Sequence, residues 1–213
     1  MNIKTPLLIV IFSLFAFSSC VQNGSVSRTG NSAKSSTIQE EVKPIADDEI
    51  AIIEMENSEA FQPITIELYS NIAPKMVARF KELAREGFYN GVTFHRVNPS
   101  VIQAGDPNSK DKDPSNDGIG TSDKTDVPAE FSDLEYDRGI VGAARKGSDV
   151  NSQNSQFFIT LKREPGFDKN YTVFGKVIAG MNNAKTIAGV ARDGRERPLD
   201  DVVIKSITIK TKK

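Results

Sequence analysis

Short segments of alternating apolar and polar residues recur through most of this chain, and that recurrence points to an antiparallel β architecture. Glu49–Glu56 and Gln62–Tyr69 flank the turn residues Asn57 and Ser58 and read as a hairpin. The alternation returns at Val92–Val97 and Val101–Gln103, on either side of a tight Asn98-Pro99-Ser100 turn. It returns again at Gly139–Arg145, Ser155–Thr160, Tyr171–Val177 and Asp201–Ile209. Only twice does the spacing become helical. Met76, Val77, Phe80, Leu83 and Ala84 form one apolar stripe between Pro74, suited to a first helical turn, and Gly87, suited to the position past the end. Met181–Ala188, ended by Gly189, reads as a second, shorter helix. About eight strands that adjoin in sequence, with few helical crossovers, predict a mainly β fold: a closed eight-stranded antiparallel barrel capped by two α-helices.

The chemistry of the chain concentrates in Val92–Asp106, which holds the single His, His95, next to Arg96, with Gln103 seven residues further on. Alternate strand residues share a face, so Phe94 and Arg96 point one way and His95 the other. A guanidinium among apolar side chains, with a Gln near it, reads as a site rather than as core. His95 reads as a structural residue, hydrogen-bonded inside the barrel. One His and no nucleophile-elbow motif argue against a Ser/His/Asp hydrolase. Asp113–Gly118 resembles the start of a calcium loop, but Ser115 and Lys124 stand at ligand positions, and Pro107–Pro128 reads as a long surface loop. The 27 basic and 28 acidic side chains are interspersed, which gives no footprint for nucleic acid.

The single Cys excludes an internal disulfide and a cysteine-cluster metal site, and its position is informative. Residues 1–20 read as a secretory signal: Lys4 supplies the positive start, and Leu7–Phe17 is too short an apolar run to span a bilayer stably. Small residues before Cys20 resemble a bacterial lipoprotein signal, in which that Cys becomes the lipidated first residue of the mature protein, although Phe17 stands where Leu is commoner; an ordinary signal peptide that carries a Cys is the alternative. Residues 21–46 are rich in Ser, Asn, Gly, Thr and Gln without a periodic apolar face, and read as a disordered tether. The folded domain is expected over 47–213. The expected location is outside the cytoplasm, lipid-anchored to a bacterial membrane and facing the periplasm. Nothing calls for an obligate oligomer, so a monomer is expected.

Six blocks in register carry a resemblance. Ile72-Ala-Pro-Lys75 and Gly87-Phe-Tyr-Asn-Gly91 flank the first helix; then come Phe94-His-Arg-Val97, Ile102-Gln-Ala-Gly-Asp-Pro107, Asn154-Ser-Gln-Phe-Phe-Ile159 and Val173-Phe-Gly-Lys-Val177. Together, over roughly residues 48–211, they resemble the cyclophilin family of peptidyl-prolyl cis-trans isomerases. The resemblance implies the eight-stranded barrel, rotation of X-Pro bonds in proline-containing polypeptide clients, and no need of metal or cofactor. It implies that Arg96, Gln103 and Phe158 are catalytic: Arg96 the donor to the prolyl nitrogen, Gln103 its orienter, Phe158 the floor of the proline pocket. Val101, Phe167 and Tyr171 would wall that pocket. Ala144, Arg145 and Gln156 would line the groove beside it, with Phe157 turned into the core.

The chain departs from the family pattern twice. Many members have one more residue between the Arg and the Gln, with a Phe that forms part of the proline pocket; here the turn is shorter, and Phe167 is the candidate to compensate. Gly166 stands where eukaryotic members carry a Trp associated with cyclosporin binding, so weak inhibition by cyclosporin is expected. The shortened turn also keeps open a second reading, a low-activity proline-peptide binding module or chaperone on the same fold.

Overall fold

The computed structural model describes residues 38–212. The proposed signal, Cys20 and the first part of the tether lie outside the described residues. The strands are β1 (Glu49–Met55), β2 (Ile64–Leu68), β3 (Arg96–Val97), β4 (Val101–Ala104), β5 (Ile140–Ala143), β6 (Phe157–Thr160), β7 (Val173–Ala179) and β8 (Ile204–Thr211). The helices are α1 (Pro74–Arg85) and α2 (Met181–Ala188). All strands join one antiparallel sheet in the order β3-β4-β6-β5-β7-β2-β1-β8.

The sheet curls until its two end strands meet. The Phe94 amide donates to the Val202 carbonyl (3.0 Å) and the Ile204 amide to the Val92 carbonyl (2.8 Å), around an antiparallel Thr93/Val203 bridge. Otherwise exposed edge groups are thereby paired. The alternation read from β1 and β2 is the burial pattern observed, with Ala51, Ile53, Ile64, Ile66 and Leu68 all inside. Helix α1 drops Phe80 into the barrel, where its ring meets Tyr89, Phe157 and Phe174 at centroid distances of 5.3–5.5 Å. At the end of α1, Gly87 takes φ +72°, a left-handed backbone that glycine adopts without a Cβ clash.

Strands β5 and β6 do not alternate; every residue in both is buried. The cause is a second apolar cluster on the outer face of the sheet, built from Tyr69, Ile72, Val101, Tyr136, Ile140, Phe158 and Val173, with Phe167 and Tyr171 packed against it. A strand covered on both faces shows a continuous apolar run. That second cluster underlies the candidate site.

Residues 38–46, assigned to the tether by their composition, are docked on the domain. Gln39 forms a parallel bridge with Ser132, its amide donating to Phe131 (2.9 Å) and its carbonyl accepting from Asp133 (3.0 Å). Asn71 donates to the Lys43 carbonyl and accepts from the Ile45 amide, and Val42 and Ala46 pack against the outer cluster. These partners come from loops far along the chain, so the segment's own polar composition carries no trace of them.

Candidate active site

The site is built by strand register. In an antiparallel sheet, residues directly opposite one another project from the same face. Arg96 on β3 opposes Gln103 on β4, Gln103 opposes Phe158 on β6, and Phe158 opposes Gly142 on β5. The row sets a guanidinium, an amide and an aromatic ring side by side on the outer face, while Phe157 faces the core. Gly142 makes room for the ring: a Cβ there would lie 2.4 Å from Phe158 Cζ and 2.6 Å from the Tyr136 hydroxyl. Phe158 then stacks on Tyr136 (5.7 Å between centroids) and meets Phe167 and Tyr171 edge-on, each at 5.4 Å.

Above the row lies a cavity of about 330 Å³, lined by Arg96, Val101, Gln103, Phe158, Phe167, Tyr171, Ala144 and Arg145. Gln156 does not reach it. It lines an adjoining groove with Ala144 and Arg145, accepts from Gln103 Nε2 (2.9 Å), and donates to the Gly118 and Gly120 carbonyls. The Arg145 guanidinium lies 4.8 Å from the Tyr171 ring centre, a cation–π contact that closes the groove wall. Phe167 sits in a 3₁₀ turn, Pro165–Phe167, beside Gly166, whose Cα faces open space.

Three expectations need correction. Gln103 does not orient Arg96 through a hydrogen bond: its amide nitrogen goes to Gln156, while Arg96 Nε donates to Glu196 Oε2 at 2.7 Å. His95 is buried, but among the described residues neither ring nitrogen makes a hydrogen bond of full geometry, only a weaker approach to the Thr93 backbone, and the ring borders the cavity instead of lying inside the barrel. Burial pushes its imidazole below the ordinary value, against the pull of Asp106 and Asp117. The Pro107–Pro128 loop is more than surface, since Pro114, Asp117 and Gly118 form one wall. Asp106 holds that wall, its carboxylate accepting from the Asn108 and Gly118 amides.

Sequence reasoning did not find Glu196, Asn98 or Arg197. Arg197 also lines the cavity, locked by Asp117 (2.6 Å) and Asp201 (3.0 Å). The shortened turn is well formed: Asn98 Oδ1 accepts from the amides of Ser100 (2.8 Å) and Val101 (2.9 Å), the Asx pattern that stabilises tight turns. Ser100 does not line the cavity, and Phe167 supplies aromatic surface there. The arrangement presents a fixed cation over an apolar aromatic floor, which suits a neutral ring next to an atom that gains electron density.

Comparison with known proteins agrees with this geometry. The profile of the family described as "Cyclophilin type peptidyl-prolyl cis-trans isomerase/CLD" matches residues 52–209. A probable peptidyl-prolyl cis-trans isomerase of Brucella suis is 42% identical over 156 residues, covering 70% of this chain and 79% of the relative. A peptidyl-prolyl cis-trans isomerase of Schizosaccharomyces pombe is 41% identical over 152 residues, 68% of this chain and 92% of the relative. The crystal structure of a Cryptosporidium parvum cyclophilin-type isomerase superposes with a TM-score of 0.68 at 29% identity, covering 78% of this chain and 99% of that one. A second structure of that protein, determined in the presence of the dipeptide Ala-Pro, gives the same TM-score at 28% identity, covering 76% of this chain and 99% of that one. Fold and site thus define an isomerase of prolyl peptide bonds. The chain belongs to the cyclophilin-type peptidyl-prolyl cis-trans isomerase family.

Proposed function

We propose that this isomerase twists X-Pro bonds by electrostatic stabilisation from Arg96 above the Phe158 floor, and that it serves the folding of exported proteins at a bacterial membrane. Rotation about a peptide bond faces a barrier of roughly 18–20 kcal/mol set by amide resonance. No bond has to break, so the enzyme must bind the twisted amide better than either planar form. In the twisted state the prolyl nitrogen regains a lone pair, and a fixed donor aimed at it lowers the barrier. Phe158, Val101, Phe167 and Tyr171 would hold the pyrrolidine ring while the carbonyl swings. Gln103, Ala144, Arg145 and Gln156 would hold the neighbouring peptide backbone.

The observation that carries this reading is the cross-strand row that sets Arg96 and Phe158 two strands apart on one face. The test is cis-to-trans relaxation of a short X-Pro peptide. Arg96→Ala is expected to lower kcat/KM by about 10²-fold or more, in line with loss of one transition-state donor. Arg96→Lys should recover little, because a point charge does not reproduce a planar fork. Full activity in Arg96→Ala would remove the mechanism.

The membrane role rests on Cys20 as the one cysteine, placed directly after a signal-like apolar run. Two or more acyl chains give stable anchoring. Metabolic labelling with a radioactive fatty acid should mark the mature protein and leave Cys20→Ser unlabelled; an unlabelled parent protein would end the anchor proposal.

A further inference from the structure

The run Asp193-Gly-Arg-Glu-Arg197 forms a tight turn far along the chain from Arg96. Asp193 organises it. Its carboxylate accepts from the Arg195 (2.8 Å) and Arg197 (2.9 Å) amides, its own amide donates to the Arg197 carbonyl (2.8 Å), and its carbonyl accepts from the Glu196 amide (3.1 Å). The turn puts Glu196 at φ +70°, a left-handed backbone that a residue with a Cβ adopts only under external constraint. That strain buys a docking geometry. The Glu196 carbonyl accepts from the Val97 amide at 2.8 Å, tying the turn to β3 one residue past Arg96. Its carboxylate then folds back, and a single oxygen, Oε2, accepts from Arg96 Nε (2.7 Å) and from Asn98 Nδ2 (2.9 Å). Asn98 in turn braces the shortened hairpin through Ser100 and Val101. With Nε occupied, no protein acceptor among the described residues engages Arg96 Nη1 or Nη2, while the side chain lines the cavity.

We propose that Glu196 is the positioning residue of this isomerase: it grips Arg96 by Nε so that the two outer nitrogens are held toward the prolyl nitrogen. The inference rests on the reading of Arg96 as the catalytic cation. A carboxylate beside a cation does not strengthen its field, so the benefit is orientation of a long, rotamer-rich side chain. Orientation of a group used in the twisted state acts on kcat rather than on KM.

The test measures kcat, KM and melting temperature for the full chain and four variants. Glu196→Ala and Glu196→Gly are each expected to lower kcat about 10-fold with KM within about 2-fold, an effect of misplacement rather than of lost chemistry. Glu196→Gln keeps an acceptor oxygen and should retain at least about a third of kcat. Glycine tolerates the left-handed backbone, so Glu196→Gly should melt above Glu196→Ala while being equally slow. Recovery of kcat in Glu196→Gly would assign the residue a backbone role and overturn the inference, as would full kcat in both Ala and Gly variants. Arg96→Ala separates the two layers. If it is slow while the Glu196 variants are fast, the positioning role alone falls. If it is fast, the reading of Arg96 falls and the inference falls with it.

Discussion

Gly142 is a single missing Cβ on which the Phe158 floor of the cavity depends. A methyl at that position would sit 2.4 Å from Phe158 Cζ, well inside contact distance, so the ring or strand β5 must move. Gly142→Ala is expected to destabilise the fold by about 1–3 kcal/mol in urea titration and to lower kcat/KM, because the displaced ring is the pocket floor. His95 is the other informative residue at this scale. As the only histidine, it can be isolated by pH. Its folded-state pKa is depressed below 6.5 by burial, so the unfolded chain binds its proton more readily. The stability it contributes is complete above about pH 6.5 and is lost as pH falls through the folded value. The urea midpoint should therefore drop between pH 7.5 and pH 5.5, and His95→Gln should flatten that drop. An equal drop in both proteins would assign it to other groups.

Helix α1 shows how an element legible in sequence can still depend on a distant residue. Its stripe of apolar residues, Pro74 at the start and Gly87 past the end all read correctly. Its N-terminus carries no local cap, because Ala73 stands at the capping position. Glu130, from the loop before β5, supplies the acceptor: its carboxylate takes the Lys75 (3.1 Å) and Met76 (3.0 Å) amides. A carboxylate there also suits the positive end of the helix dipole. Glu130→Ala is expected to cost about 1 kcal/mol, readable as a lower urea midpoint at pH 7 with little change in kcat/KM. Strands β3 and β4 teach a similar lesson. Alternation located them, but β3 holds only Arg96 and Val97, since the residues before it leave β4 to close the sheet against the start of β8.

At the scale of the whole molecule, the segment 38–46 belongs to the folded unit. It adds a bridge at Gln39 and lays Val42 and Ala46 on the cluster that backs the cavity. A chain beginning at residue 47 should lose about 1–2 kcal/mol relative to one beginning at residue 38, and melt about 2–8 °C lower. Equal melting temperatures would mean that the docked segment contributes nothing to stability.

The periodicities of the chain determined its eight strands and two helices, and the motif residues picked out Arg96 and Phe158, which line one cavity. Both are local or pairwise properties: side-chain alternation follows the two-residue repeat of a strand, and the helical stripe follows its 3.6-residue turn. Tertiary structure decided which residue holds Arg96. Glu196 lies a hundred positions away in a charged turn, and nothing in its neighbours points to β3. Strand order decided the rest. Only after the sheet curls do Gly142, Gln103 and Arg96 fall into line with Phe158, and only then does the Pro114–Gly118 loop become a wall. Hydrogen bonds between distant side chains carry no periodic signature, so no window of sequence could display them.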